Sequence, residues 1–262
     1  MGRGRLTIVG TGYMVAGQVT QQALTCIERA EKLFHLTADP VTEAWLQGLN
    51  PSSESLHDAY GVGRDRMDSY REMVERMLAP VHRGLDVCAA FYGHPGVFAF
   101  AGHEAIRRAR RDGYEASMLP GISAADCLFA DLGVDPAEGC QMYEATSFLY
   151  RKRRFDPTVP LILWQIGHIA FSSVLATRSA WNQEGLRVLS QVLERDYPPD
   201  HEVIVYEAAR LPVCRPKILP LPLRELAAAD VTSISTLYVP PREPLEPDYD
   251  YETAQLLSAP RS

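Results

Sequence analysis

The sequence predicts a two-lobed α/β protein, with an N-terminal lobe of parallel βαβ units and a C-terminal lobe built on a mixed sheet. Three observations carry this expectation. Short apolar runs alternate with helix-patterned segments as far as Pro120. Glycine-containing turns follow three of those runs. Beyond Gly121 the texture changes, and prolines gather at the joints (Pro198-Pro199, Pro212, Pro216, Pro220, Pro222), which suits hairpins and edge strands better than regular crossovers.

In chain order, Leu6–Val9 is an apolar run closed by Gly10-Thr11-Gly12, and Gln18–Lys32 follows with helical spacing. Leu33–Leu36 reads as a second strand. Val87–Tyr92 is a third, nearly all apolar, as in a strand covered on both faces. Phe98–Arg111 is helical and stops at Asp112-Gly113. Ala116–Leu119 then leads into Pro120-Gly121. In the second half Leu161–Trp164, Val203–Tyr206 and Ser233–Val239 read as strands, with helices around Ser172–Thr177, Gln183–Asp196 and Leu223–Ala229. The expected division is an N-terminal lobe at 1–120, a C-terminal lobe at 121–241 and an extended, proline- and acid-rich arm at 242–262. No internal repeat is visible.

Composition narrows the class. A chain of 262 residues, 46% hydrophobic and 23% charged, can bury a large core and resembles an ordinary soluble protein. No apolar run approaches the roughly 18 residues of a membrane span, and the N-terminus lacks a signal-peptide pattern, so a cytoplasmic protein with no membrane partner is expected. The net charge of −7 argues against a nucleic-acid surface. Arg151-Lys152-Arg153-Arg154 is the one basic run; it reads as a solvated loop, or else as a contact for an acidic part of a partner. Five scattered cysteines without a CxxC indicate reduced thiols, and seven histidines without HxxxH or HExxH give no support for a metal.

Candidate ligand loops are Gly10-Thr11-Gly12, Gly93-His94-Pro95-Gly96 and Pro120-Gly121-Ile122-Ser123-Ala124. In α/β sheets, ligands sit beyond the carboxyl ends of strands, where glycine admits close backbone approach. The first loop is GxGxxxxG rather than GxGxxG, and the nearest acid past the second strand, Asp39, comes late for a ribose contact. A nicotinamide site is thus poorly supported, and the lack of GK[ST] excludes a P-loop.

Taken together and in order, the VGTG start, the YGHPGVF loop and the PGISA turn resemble the tetrapyrrole-methylase fold family. The likeness continues through Leu161-Ile162-Leu163-Trp164-Gln165, Tyr206-Glu207-Ala208 and Ile234-Ser235-Thr236-Leu237, nearly the whole chain. It implies two α/β lobes with S-adenosylmethionine in the cleft between them, leaving as S-adenosylhomocysteine. By the same resemblance Tyr92, His94, Val97 and Phe98 would flank the methionine part and ribose. Ser123 and Ala124 would follow, with Gln165, Tyr206, Ala208, Ser235 and Thr236 around the nucleoside. Core packing is the simpler reading of Val97, Phe98 and Ala124, and His94 lacks the second ligand a metal would need.

The segment Arg64–Val81 carries a sharper pattern. At about 100° per residue, Met67, Tyr70, Met73, Val74, Met77, Leu78 and Val81 share one face, while nearly every charged residue lies off it. Arg66 is the exception, one turn before Tyr70. A guanidinium on a buried face needs a reason. Snorkelling from the first turn to water is one. The other comes from resemblance: Tyr60, Arg66, Tyr70 and Tyr92 match the catalytic set of the borosin α-N-methyltransferases, a branch of the family that methylates backbone amide nitrogens of ribosomally made peptides.

An amide nitrogen is a poor nucleophile because its lone pair is delocalised into the carbonyl. Removing its proton calls for a base, such as a tyrosine beside a cation, and the oxygen of the resulting imidate must be held. The resemblance implies Tyr70 as base with Arg66 as its electrostatic partner, Tyr60 on the substrate carbonyl and Tyr92 orienting donor and amide; two of these tyrosines could exchange roles. About 20 residues follow Pro241, too few for a fused substrate segment. The expectation is therefore a split enzyme acting in trans, a homodimer binding two separate precursor peptides, each with a small helical recognition domain. The alternatives are a tetrapyrrole or other small-molecule methyltransferase of the same fold, and a methylase-like binding module without turnover.

Overall fold

The computed structural model describes residues 4–61, 64–170 and 183–242. Five strands, β1 (Arg5–Gly10), β2 (Lys32–Leu36), β3 (Glu54–Ser55), β4 (Asp86–Phe91) and β5 (Glu115–Met118), form an all-parallel sheet in the order β3-β2-β4-β1-β5. The alternation along the central strand shows how both faces are covered. Val87, Ala89 and Phe91 point into one core with α3 (Arg66–His82) and α4 (Phe100–Arg111), while Cys88 and Ala90 meet α1 (Gln21–Arg29) and α2 (Pro40–Leu49) on the other face.

Sequence and structure differ at several boundaries, each for a local reason. α1 starts at Gln21 rather than Gln18, because the Thr20 side chain accepts from the Ala23 amide at 3.1 Å. Gln18 instead serves the preceding turn, its Oε1 accepting from the amides of Tyr13 and Met14 at 2.7 and 3.0 Å. α1 ends at Arg29, and Lys32 already belongs to β2. α4 starts at Phe100; Phe98 lies outside it with φ 52°. α2 was not anticipated, although Asp39 caps the amides of Val41 and Thr42 at 2.9 Å just before Pro40, a legible start signal. On α3 the buried apolar stripe runs from Met73 to Val81, and Ser69 in the first turn is also buried, whereas Met67 is 37% exposed and points away from the core.

After β5 the chain enters α5 (Ala124–Leu132) and a second sheet of β6 (Gln141–Glu144), β7 (Leu161–Trp164), β8 (Glu202–Glu207), β9 (Lys217–Pro222) and β10 (Thr236–Val239). Its order is β6-β7-β10-β8-β9, with β6 and β7 parallel and the other pairs antiparallel. β9, with Pro220 and Pro222, takes an edge, where missing N–H groups cost least. α6 (Ala145–Tyr150) and α7 (Gln183–Leu193) pack on this sheet, α7 ending three residues before Asp196. Leu223–Ala228 is a 3₁₀ turn rather than the expected α-helix, and β10 begins at Thr236 rather than Ser233. The helix expected around Ser172–Thr177, and all of the arm past Arg242, lie outside the described residues. Among the described residues no helix is long and apolar enough to cross a membrane.

Topology fixes where a site can form. From β1 the chain passes β4 to reach β2 over one face of the sheet, and from β4 it passes β1 to reach β5 over the other, so the loops after these two central strands lie side by side at their carboxyl ends. In the second sheet β7 and β8 run the same way, because both are antiparallel to β10 between them. The carboxyl ends of β7 and β8 and the start of β10 therefore share one edge.

Candidate active site

The three glycine turns meet above β4, β1 and β5. Gly12 and Gly93 exchange amide–carbonyl bonds of 3.3 and 2.8 Å, both at positive φ (69° and 68°). A methyl group on Gly10 would lie 2.5 Å from the Gly93 carbonyl oxygen, and one on Gly121 would lie 2.6 Å from the same atom. These glycines thus serve the packing of turn on turn, which makes a rigid backbone floor.

Tyr60, Tyr70, Tyr92, His94, Val97, Phe98, Ser123, Ala124, Gln165, Tyr206, Ala208 and Thr236 all line a single cleft of about 1130 Å³, its open mouth included. Val97 and Phe98 are 44% and 52% exposed, so they are open apolar surface rather than core. Ala124 lines the cleft while also packing beneath it. His94 Nδ1 accepts from the Gly96 amide at 3.0 Å and so shapes its own loop. Ser123 caps α5 reciprocally with Asp126, at 2.6 to 3.2 Å.

On the second wall, Gln165 adopts a left-handed conformation at φ 59°, and Tyr206 donates its hydroxyl to Asp131 at 2.7 Å. Burial, and next the bond to Asp131, push the Tyr206 phenol well above its ordinary range. Ser235 is the one candidate residue of this wall that does not line the cleft. It is fully buried, accepting from the Thr232 amide at 2.7 Å and donating to Glu207 at 2.5 Å.

The first wall holds the tyrosines. Tyr60 and Tyr70 pack edge to face with ring centroids 6.2 Å apart, and Tyr70 leans on Phe100 at 5.9 Å. Arg66 opens α3 directly after its cap, Asp65, which accepts from the Met67 amide at 2.7 Å. Arg66 is half-buried and makes no hydrogen bond or ion pair with any described residue, whereas Arg64 is neutralised by Glu72 at 2.6 Å. The Arg66 charge is felt by Tyr60, Tyr92 and His168. Burial raises Tyr60 and Tyr92 above the usual phenol range, neighbouring tyrosines add to this, and Arg66 partly offsets it. Although 37% of Tyr92 opens to the cleft, its phenol is crowded enough for burial to lead. His168 is pushed down to about 4 by burial first and Arg66 second.

Tyr13, Phe100, Trp164, Ser233 and Ile234 also line the cleft and were not singled out from sequence. Adjacency was the available signal: Tyr13 follows the first glycine turn and Trp164 precedes Gln165. Tyr13 packs edge to face on Tyr92 at 5.9 Å. Among the described residues the lining contains aromatic, apolar and neutral polar side chains and no Asp, Glu, Lys or Arg, so Arg66 is not part of it.

Comparison with known proteins agrees with this architecture. The family model for Tetrapyrrole (Corrin/Porphyrin) Methylases matches residues 5–227. The methyltransferase/ribosomally synthesized cyclic peptide gymnopeptides precursor gymMA1 of Gymnopus fusipes is 45% identical over 252 residues, 94% of this chain and 60% of the relative. The corresponding omphalotin A precursor ophMA of Omphalotus olearius is 43% identical over 244 residues, 91% and 58%. A type III borosin cyclic peptide precursor, aboMAa of Anomoporia bombycina, is 42% identical over 258 residues, 97% and 30%. The chain therefore spans 60% or less of the length of these relatives. Uroporphyrin-III-C-methyltransferase from Thermus thermophilus shares the fold, with TM-score 0.65 and 18% identity over 91% of this chain and 93% of that one. With a family match covering most of its length, and both sheets meeting at the glycine turns that first suggested the fold, the chain belongs to the tetrapyrrole (corrin/porphyrin) methylase family.

Proposed function

We propose that this protein binds S-adenosylmethionine in the cleft and transfers its methyl group, repeatedly, to backbone amide nitrogens of a ribosomally made peptide. The observation that carries the reading is the wall of Tyr60, Tyr70 and Tyr92, with Arg66 outside the lining but close enough for its charge to act on Tyr60 and Tyr92, and without a carboxylate partner among the described residues. The names of the relatives, which join a methyltransferase to a cyclic peptide precursor, point the same way.

The lining fits the cofactor. A sulfonium with a zwitterionic tail calls for aromatic faces and backbone polar groups rather than charged clamps, and this cleft offers those. When bound, S-adenosylmethionine supplies an electrophilic methyl group. Tyr92, His94, Val97 and Phe98 would hold its methionine part and ribose; Ser123, Ala124, Gln165, Tyr206, Ala208 and Thr236 would hold the rest, with Ser235 supporting them through Glu207.

The chain's own groups then act on the acceptor. Tyr60 and Tyr92, kept protonated by burial, donate hydrogen bonds, Tyr60 to the peptide carbonyl and Tyr92 to orient the amide. Tyr70, entering the step as the phenolate that the Arg66 charge one helical turn away favours, takes the amide proton and leaves as the phenol, while the same charge offsets the negative charge passed to the amide oxygen. The peptide belongs to a separate precursor, and the enzyme works as a cytoplasmic homodimer with two such precursors.

The assay mixes purified protein, S-adenosylmethionine and a precursor encoded beside its gene, then reads intact and fragment masses. Methylene-sized increments on backbone amides are expected. A tetrapyrrole as the sole acceptor would replace the peptide reading with small-molecule methylation, and donor binding with no acceptor would leave a binding module. Light scattering at assay concentration gives the mass; a monomer would remove the dimer from the proposal.

A further inference from the structure

We propose that the basic run Arg151-Lys152-Arg153-Arg154, on the far side of α6 from its own core, is the docking surface for the acidic segment 243–252 of the same chain.

The run leaves α6 in a fixed turn. The Lys152 amide donates to the Leu149 carbonyl and the Arg153 amide to the Phe148 carbonyl, both at 3.2 Å. Lys152 holds a left-handed backbone (φ 44°) at a helix end where glycine is the usual residue. Beyond the run, Phe155 stacks on Tyr197 with ring centroids 5.9 Å apart, and the Asp156 backbone exchanges bonds of 2.7 and 2.9 Å with the Gln141 amide group. The four cations are therefore carried by a loop pinned at both ends. All four are exposed, and none makes a side-chain hydrogen bond or ion pair with a described residue. Arg5, Arg64, Arg76, Arg107, Arg108 and Arg187, by contrast, each sit on a carboxylate. Four like charges side by side repel one another, and an anionic partner relieves that repulsion.

The chain brings such a partner to this spot. Arg242, the last described residue, donates its amide to the Pro157 carbonyl at 2.8 Å and its guanidinium to the Asp196 carbonyl at 3.3 Å. Pro157 is three residues past Arg154, a Cα separation of at most about 11 Å. From that anchor follow Glu243, Glu246, Asp248, Asp250 and Glu252, five carboxylates in ten residues with no cation among them. At up to about 3.5 Å per residue, those from Glu246 onward can span the gap. Their tether also keeps their local concentration at the run high. In Asp248-Tyr249-Asp250-Tyr251-Glu252 carboxylates alternate with phenol rings, and a guanidinium pairs with the first and stacks on the second.

The test uses the whole protein and its three lysines, Lys32, Lys152 and Lys217. A carbodiimide joins an ammonium to a carboxylate only where the two touch, and fragment masses locate each new amide. Lys32 with Glu54 and Lys217 with Asp230, each pair at 2.7 Å, are the internal controls. Lys152 should couple to a carboxylate of segment 243–252, and an equal mixture of ¹⁴N and ¹⁵N protein should give no mixed-isotope product. Replacing Asp248→Asn and Asp250→Asn together should cut the yield at Lys152 about fivefold, with the controls and the melting temperature unchanged. Control coupling without any link from Lys152 to the segment overturns the proposal. Mixed-isotope links overturn it in favour of a second copy as the occupant, and full coupling in the Asn variant overturns the charge-driven contact.

Discussion

The two walls of the cleft treat their polar groups differently. On the β7–β8–β10 side, Tyr206 is bonded to Asp131, and Ser235 and Thr232 both bond Glu207, so hydroxyls and acids are paired before any ligand arrives. On the α3–β4 side, Arg66 has no carboxylate partner among the described residues, and Tyr60 and Tyr92 are held neutral with Arg66 pulling against that. A wall whose hydrogen bonds are closed holds shape; a wall with an unpaired charge beside neutral phenols is set up to respond to charge that appears during a reaction. The lesson is that the same residue type, tyrosine, takes a structural or a reactive part according to what its hydroxyl already bonds.

The sharpest way to break this contrast is Arg66→Met, which keeps most of the side-chain bulk and removes the charge. Methyl transfer should fall by about 100-fold or more, as when a charge-stabilising group is lost from an active site. Stability should hold or rise slightly, because a half-buried cation at a helix N-terminus opposes the helix dipole. Calorimetric binding of S-adenosylhomocysteine should change little. Normal turnover by this variant would sink the assignment of the first wall as reactive.

Asp131→Ala tests the other wall. It strips Tyr206 of its acceptor and should cost about 1 kcal/mol, since Asp131 itself is exposed, lowering the melting temperature by about 2–4 °C. Donor affinity should suffer more than the rate of the chemical step. A change confined to the rate, seen in single-turnover measurements, would erase the distinction between the walls.

A smaller effect links the walls through His168. Its folded pKa of about 4 lies below the ordinary value near 6.5, so the unfolded chain binds the proton more readily between those values. The stability it contributes is complete above about pH 6.5 and is lost as pH falls through about 4. In Arg66→Met the second cause of the depression disappears, and the pKa should climb while staying below 6.5, because burial remains. Imidazole proton shifts across pH 3 to 8 would measure it; an unchanged value means that Arg66 does not face the second wall.

Much of this was legible in the sequence because it is local. The bounds of β7 could be read from four apolar residues, the buried stripe of α3 from Met73 to Val81 from helical spacing, and the three turns from their glycines. What was not legible depends on distant pairing. β3 is two residues long and exists only because β2 offers it a parallel edge. Ser235 looked like a ligand contact, yet Glu207 in the neighbouring strand claims its hydroxyl. Trp164 read only as the end of a strand, and it takes the packed structure to bring its ring to the cleft.

The smallest prediction contrasts the two arginines at the start of α3. Arg64 is bonded to Glu72 at 2.6 Å and to the Ala59 carbonyl at 3.2 Å, and both charged side chains are 37% exposed. Exposed pairs are screened and are worth at most about 0.5 kcal/mol, so Arg64→Ala should barely move the melting temperature. Its reach to Ala59, next to Tyr60, leaves room for a slight rise in KM for the acceptor, within about twofold, with kcat unchanged. Two cations two residues apart would then differ greatly in consequence because, among the described residues, one has a carboxylate and the other does not. If Arg64→Ala cost as much activity as Arg66→Met, the relevant property would be the overall positive charge of the turn, and the carboxylate-free environment of Arg66 would lose its meaning.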